Sequence, residues 1–148
     1  MKTLFLVLLP LITLSQDKWY KISGNDWGII ATQAVAGGFE GWNQGIQHHH
    51  WGRGNQFWDI NVSWKNKYKD YDKGDLRSAY PFSKNILAFT TDGFHLTRSV
   101  SRTATLATIA IAASDWKVWP KKDRWKVVAK KVVLSIVANR AAFLIVYH

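Results

Sequence analysis

Two apolar stretches near the C-terminus, residues 104–113 and 132–147, constrain the fold of this chain more than any other feature. Neither contains proline, and both favour a helix over a strand. Upstream of them, Ser83 is a suitable N-cap residue and Pro120 a suitable first-turn residue. The sequence therefore predicts helices over residues 83–114 and 120–147.

A further helix is expected nearer the N-terminus, over residues 26–47. This segment is rich in alanine, glycine and isoleucine, has no proline, and begins next to Asn25 and Asp26, either of which can cap a helix. The residues that follow, 48–82, are polar and aromatic and predict a long connection. We expect a mainly α fold, a small helical membrane protein in which two or three hydrophobic helices pack together as one domain over residues 17–148.

The first sixteen residues have the pattern of an export signal or an N-terminal anchor. Lys2 precedes an apolar run from Leu4 to Leu14, and polar residues follow from Ser15 onwards. Such a run is too short to span a bilayer comfortably, as is usual for an export signal. The alternative is a buried helix or strand of the domain itself.

The chain is strongly basic, with 20 Lys and Arg against 10 Asp and Glu and a formal charge of +10, which favours an anionic partner. Residues 115–131 mix lysines with tryptophans between the two apolar stretches, as cytoplasmic loops at membranes do. The predicted orientation places this loop in the cytoplasm and residues 17–82 outside it. The alternatives are a soluble helix pair with a solvated charged face, and nucleic-acid binding, which an export signal disfavours. The residues predicted to lie at the membrane surface and to contact anionic lipid headgroups are Trp51, Trp58, Trp64, Tyr68, Lys117, Trp119, Lys121, Lys122, Arg124, Trp125, Lys130 and Lys131.

A stripe of glycines on the first helix is the most specific packing signal. Gly37, Gly41 and Gly45 are four residues apart and therefore lie on one helical face. Glycine in an exposed helix costs about 1 kcal/mol relative to alanine, so this face is expected to contact another helix closely. The alternative is a break of the segment at Gly37 and Gly38 into two shorter helices.

Two polar seams accompany the apolar positions of the helices. On the first helix the seam comprises Gln33, Glu40, Gln44 and Gln47. On the second helix, Asp92, His95, Ser99 and Arg102 share a face that Arg98 flanks. Polar seams on apolar helices face protein or a water-filled cavity, so the two seams predict one shared site.

A metal site is one interpretation of these seams. Asp92 and His95 lie one helical turn apart, and Glu40 and His48 can supply further ligands to a divalent metal such as zinc with a reactive water. In this enzyme hypothesis Glu40, Asp92 and His95 are catalytic, and Arg98 or Arg102 neutralises an anionic group of the substrate. The alternatives are a hydrogen-bonded Asp92–His95 pair, or the ion pairs Glu40–Arg98 and Asp92–Arg102 fastening two helices.

Other enzyme signatures are missing. The sequence has no G-x-S-x-G elbow, no P-loop, no dinucleotide-binding glycine motif and no H-E-x-x-H. With no cysteine, it lacks disulfides, cysteine-ligated metals and a thiol nucleophile. The histidine run at residues 48–50 is similar to the boxes of di-iron oxygenases, but those need more than the five histidines present. A surface cluster that gains charge in acid is the favoured interpretation of this run.

Four segments carry a resemblance to a known family. They are Gly37-Gly38-Phe39-Glu40-Gly41, His48-His49-His50, residues 63–68 and residues 91–96. In this order they resemble an uncharacterised family of small basic proteins of Bacteroidetes and their phages that are regarded as membrane proteins. The resemblance covers about residues 30–105 and carries no known activity. It implies that the polar seams and the Trp-Lys-Asn-Lys-Tyr segment form one recurring unit.

The function expected from the sequence is that of a membrane-embedded structural or interaction protein. It would organise lipid or a partner helix, including a second copy of itself, in a cell envelope or a phage virion membrane. The alternatives are a metal-assisted hydrolase acting on a lipid-linked or envelope substrate, and a basic nucleic-acid-binding protein.

Overall fold

The computed structural model describes residues 19–114, 116 and 118–148, so the predicted export signal and Lys117 lie outside the described residues. The prediction of a mainly α fold is confirmed. A short antiparallel hairpin of two strands lies in the connection between the second and third helices. The elements in chain order are α1 (Gly24–His48), α2 (Ile60–Ser63), β1 (Tyr68–Asp70), β2 (Asp75–Ser78), α3 (Gly93–Ser114) and α4 (Arg124–Tyr147).

Helix α1 lies at the centre, with α3 on one side and α4 on the other. The Asn43 side chain near the end of α1 bonds to Thr97 near the start of α3, whereas Thr32 bonds to Thr108 further along α3. Helices α1 and α3 are therefore antiparallel. Both long helices that pack against α1 thus come from the second half of the chain.

Helix α4 runs in the opposite direction to α3 relative to α1. Lys130 in the first turns of α4 reaches Asp26 at the start of α1, with Nζ 2.6 Å from Oδ2. Gly41, near the end of α1, lies against Phe143 near the end of α4. Helices α1 and α4 are therefore parallel, and the long connection over residues 49–92 sits at the other end of the molecule from the α3–α4 loop.

The start of α1 is fixed by a capping box. Ser23 is the N-cap, its hydroxyl accepts from the Asp26 backbone N–H, and the Asp26 carboxylate accepts from the Ser23 backbone N–H. Asp26 is fully buried and also pairs with Lys130. This one carboxylate therefore both starts α1 and ties the beginning of α4 to it.

Two glycines bring the backbones of α1 and α4 together. A Cβ atom on Gly37 would overlap the carbonyl oxygen of Asn139, and one on Gly41 would lie 2.8 Å from the carbonyl oxygen of Phe143. Helix α1 is continuous through Gly37, so it does not break there. Gly45, the third member of the predicted stripe, lies against the ring of Trp51 instead of a helix.

Trp51 and Trp58, predicted as membrane-surface residues, are packing elements. Both are half-buried, and Trp58 fills the space left by Gly52 and Gly93. The turn that carries Trp58 is held by Asp59, whose carboxyl accepts from backbone N–H groups on both sides. These hydrogen bonds lower the pKa of the Asp59 carboxyl below its usual value, so it stays ionised as an acceptor at neutral pH.

Two helices begin later than the sequence predicted. Helix α3 begins at Gly93 because Asp92 accepts from the His95 backbone N–H, whereas Ser83 turns its hydroxyl to the carbonyl of Lys67. Helix α4 begins at Arg124, after a turn in which the Asp123 N–H donates to the Pro120 carbonyl. The predicted starts at residues 83 and 120 are thus wrong, because Ser83 is engaged in a tertiary contact and Pro120 belongs to the turn that precedes α4.

The predicted membrane topology is also wrong. Among the described residues, no helix combines the length and apolar character that crossing a bilayer requires. The reason lies in the charged positions within each long helix, such as Arg98 and Arg102 in α3 and Lys130, Lys131 and Arg140 in α4. This finding overturns the placement of residues 17–82 outside the cytoplasm and residues 115–131 inside it.

The outward faces of α3 and α4 carry apolar side chains. Ile145 is 81% exposed and Leu106 66% exposed. Binding of a partner helix, of a second copy or of anionic lipid headgroups at such faces stays a prediction.

Replacing Gly37 by alanine tests the close contact between α1 and α4. We expect Gly37→Ala to lower the free energy of unfolding by about 1–3 kcal/mol, because the new methyl group displaces the α4 backbone. Gly38→Ala is the matched control, since its Cβ would lie 3.7 Å from Val146 in ordinary contact. We expect it to stabilise α1 by up to about 1 kcal/mol. Urea denaturation followed by circular dichroism measures both, and equal effects would contradict the packing described.

Candidate functional site

A polar cleft of about 310 Å³ lies between α1 and α3. It opens near the end of α1 and the start of α3, close to the long connection. Both polar seams expected from the sequence contribute to it. The lining side chains from α1 are Glu40, Asn43, Gln44 and Gln47, and those from α3 are Phe94, Arg98, Ser101 and Arg102.

The helix spacing at the cleft is fixed by Asn43. Its buried amide nitrogen donates to the Phe94 carbonyl and to the Thr97 hydroxyl, at 2.9 Å in each case. The Thr97 side chain is fully buried and donates back to its own helix. At Asn43 the two walls of the cleft are therefore joined by buried polar groups that already have partners.

Three charged groups line the cleft without pairing with each other. Among the described residues, no carboxylate oxygen lies within 4.0 Å of the guanidinium nitrogens of Arg98 or Arg102. Glu40 is exposed and likewise has no ion-pair partner there. The ion pairs Glu40–Arg98 and Asp92–Arg102, considered from the sequence, do not form. The charges of the cleft are thus available to a ligand.

Arg98 is positioned by an aromatic ring. Its guanidinium carbon lies 5.8 Å from the ring centroid of Phe94, one turn earlier on α3. Such a cation–π contact contributes about 0.5–1 kcal/mol at an exposed site. The contact limits the directions in which the side chain can point without neutralising its charge.

Asp92 and His95 form a hydrogen-bonded pair beside the cleft. The Nδ1 atom of His95 lies 2.9 Å from Oδ1 and 2.8 Å from Oδ2 of Asp92, and the Thr91 hydroxyl donates to Oδ2. Asp92 is buried, whereas the His95 side chain is 41% exposed. The carboxylate thus orients the imidazole through Nδ1. This is the hydrogen-bonded Asp92–His95 pair that the sequence suggested as the alternative to a metal site. Neither residue lines the cleft.

The four predicted metal ligands do not assemble. In the described part of the chain, no group of three or more His, Asp or Glu side chains is arranged to hold a metal ion. Glu40 lines the cleft, and Asp92 and His95 bond to each other. His48 is exposed at the end of α1 and makes no cluster with them.

The basic segment before α4 is only partly a free surface. Trp119 is buried and its carbonyl accepts from Arg124, while Lys131 is buried with its amine directed at the Ala112 carbonyl. Lys121, Lys122 and Trp125 remain exposed. Two charges assigned to a lipid surface from the sequence, those of Arg124 and Lys131, therefore contact the α3–α4 corner. Among the other residues predicted at the membrane surface, Trp64 and Tyr68 are half-buried and pack around Tyr71 in the hairpin region.

Sequence reasoning misplaced one amide of α1 and missed another. Gln33, assigned to the seam, lies between all three long helices, where it donates to Thr108 and accepts from Asn139. Asn43, which is not part of the predicted seam, joins the two walls of the cleft through its bonds to Phe94 and Thr97. Its position one turn after Glu40 and one turn before Gln47 was the available signal, since residues three and four apart share a helical face.

Comparison with known proteins gives no relative for this chain. No family model matches it, and no curated protein or solved structure shows significant similarity. The resemblance to small basic proteins of Bacteroidetes and their phages therefore stays a prediction.

Replacing Asp92 separates its capping role from its contact with His95. We expect Asp92→Ala to lower the free energy of unfolding by about 1–2 kcal/mol, because the cap of α3 is lost. Asp92→Asn should lose less, since asparagine caps as well as aspartate does. Chemical denaturation of both variants measures the difference, with the exposed Asp72→Asn as control. Equal losses for Asn and Ala would show that capping is not what Asp92 contributes.

Proposed function

We propose that this chain is a binding protein whose α1–α3 cleft recognises an anionic group of a small ligand. The observation that carries the proposal is that Arg98 and Arg102 line the cleft without a carboxylate partner. The wider role is that of an interaction protein, as the sequence predicts, with the cleft as its recognition site.

Arg98 and Arg102 suit a carboxylate or a phosphate. They are one turn apart on the same face of α3, so both guanidinium groups can approach one anionic group. A guanidinium presents planar, paired N–H donors that match the oxygens of such anions and keeps its charge at all physiological pH values. Binding would therefore combine charge with directional hydrogen bonds.

The amides of α1 extend this recognition. Gln44 and Gln47 are half-buried in the opposite wall, and each side-chain amide offers donors and an acceptor. Ligand pockets for drug-sized molecules have volumes of about 300–1,000 Å³, so this cleft lies at the lower limit. Its size favours a small polar molecule over a polymer or an acyl chain.

The hydrolase alternative has one feature in its favour, the Asp92–His95 pair. A histidine oriented through Nδ1 by a buried carboxylate is a common general base. The pair lies outside the cleft lining, however, and the metal ligands predicted to accompany it do not assemble in the described residues. Binding at the cleft is therefore the better-supported function.

Titration with inorganic phosphate tests the proposal. We expect phosphate to shift amide and arginine Nε NMR signals of residues around the cleft. Arg98→Gln and Arg102→Gln should each weaken binding about 10-fold, because a hydrogen bond to a charged group contributes about 1.5–3 kcal/mol. Arg140→Gln, on an exposed position of α4, is the matched control and should bind as the unmodified chain does. Unchanged affinity in both cleft variants would contradict the proposal.

A further inference from the structure

We infer that the ligand of the α1–α3 cleft is an amine-bearing phosphomonoester, whose phosphate is held by Arg98 and Arg102 and whose ammonium group is held by Glu40. This inference rests on the proposed function and specifies the class of ligand. It follows from the arrangement and the balance of charges that line the cleft.

The Glu40 carboxylate is the feature from which we infer an ammonium group on the ligand. Its carboxylate lines the α1 wall, whereas both guanidinium groups belong to the α3 wall. Among the described residues it has no cationic partner, although two arginines line the same cleft. A simple anion bound by the arginines would be repelled by this carboxylate. An ammonium group at the other end of the ligand converts that repulsion into attraction.

The balance of charge favours a phosphomonoester over a carboxylate. The cleft presents two cationic groups and one carboxylate. A phosphomonoester carries a charge of about −1.5 to −2 at pH 7, so with one ammonium group it complements all three. An amino acid with a single carboxylate would leave one guanidinium unmatched. Because the two arginines are adjacent on one helix, one doubly charged group suits them better than two separate carboxylates.

The remaining lining groups are compatible with both ends of this ligand. The Gln44 and Gln47 amides can accept from an ammonium group and donate to a phosphate oxygen, and Ser101 offers a hydroxyl beside the arginines. Phe94 is the one apolar side chain of the lining, and it already contacts Arg98. The cleft thus provides for a short polar link between phosphate and amine.

Phosphoethanolamine and ethyl phosphate form the matched pair of probes, because they differ only by the ammonium group. We expect the unmodified chain to bind phosphoethanolamine about 10-fold more tightly, as measured by NMR titration or calorimetry. Glu40→Gln should abolish this preference and leave ethyl phosphate bound at least as well as before. Asp72→Asn, on an exposed carboxylate of the hairpin region, should keep the preference.

The outcomes separate this inference from the proposed function. If both probes bind equally and Glu40→Gln changes nothing, the amine is not recognised and the inference fails, while Arg-dependent phosphate binding stands. If neither probe binds in a way that depends on Arg98 or Arg102, the proposed function fails as well. L-Glutamate carries the same charges on separate carboxylates, so its tighter binding would overturn the assignment of a phosphate.

An aminoethyl phosphate group also occurs as a lipid headgroup. Phosphatidylcholine vesicles with and without phosphatidylethanolamine distinguish this source from a free metabolite. We expect no cleft-dependent binding to either vesicle, because the phosphodiester of a lipid carries one negative charge instead of two. Binding to the ethanolamine vesicles that both Glu40→Gln and Arg102→Gln remove would identify the headgroup as the ligand and overturn the monoester assignment.

Discussion

The close approach of α1 and α4 at Gly37 and Gly41 is the contact on which the rest of the structure depends. Because neither glycine has a side chain, the backbone of α4 lies directly against α1. This leaves the opposite face of α1 for α3, and the cleft is lined by residues of those two helices. The central helix α1 is therefore packed on two sides, and its polar residues between these contacts line the cleft.

Hydrogen bonds between side chains then fix how the helices are rotated. Gln33 bonds to α3 through Thr108 and to α4 through Asn139, so one amide joins all three long helices. Asn43 repeats the link to α3 at the other end of the interface. Buried polar groups lose their hydration on folding, so alternative rotations that leave them unpaired are disfavoured. The small apolar core, which includes Ile29, Ala36 and Ile46, is thereby supplemented by specific polar contacts.

The sequence predicted the three long helices because the apolar stretches 104–113 and 132–147 and the alanine- and glycine-rich segment 26–47 contain no proline. It failed at the starts of α3 and α4. Ser83 bonds to the Lys67 carbonyl and Asp92 caps α3 instead, and such a tertiary contact is not visible in the local sequence. The membrane assignment failed because lysines and arginines within α3 and α4 interrupt the apolar residues around them. The charged cleft residues were predictable from helical spacing, whereas their lack of mutual ion pairs depends on distances between helices.

The hydrogen bonds of Gln33 and Asn43 to α3 together fix the number of residues between these two positions of α1. Ten positions separate Gln33 from Asn43, and both must reach α3 at the same time. An inserted or deleted residue between them would turn one link by about 100° relative to the other, so only one of the two could form. Insertions and deletions are consequently better accommodated outside this segment, for example in the hairpin region and the α3–α4 corner.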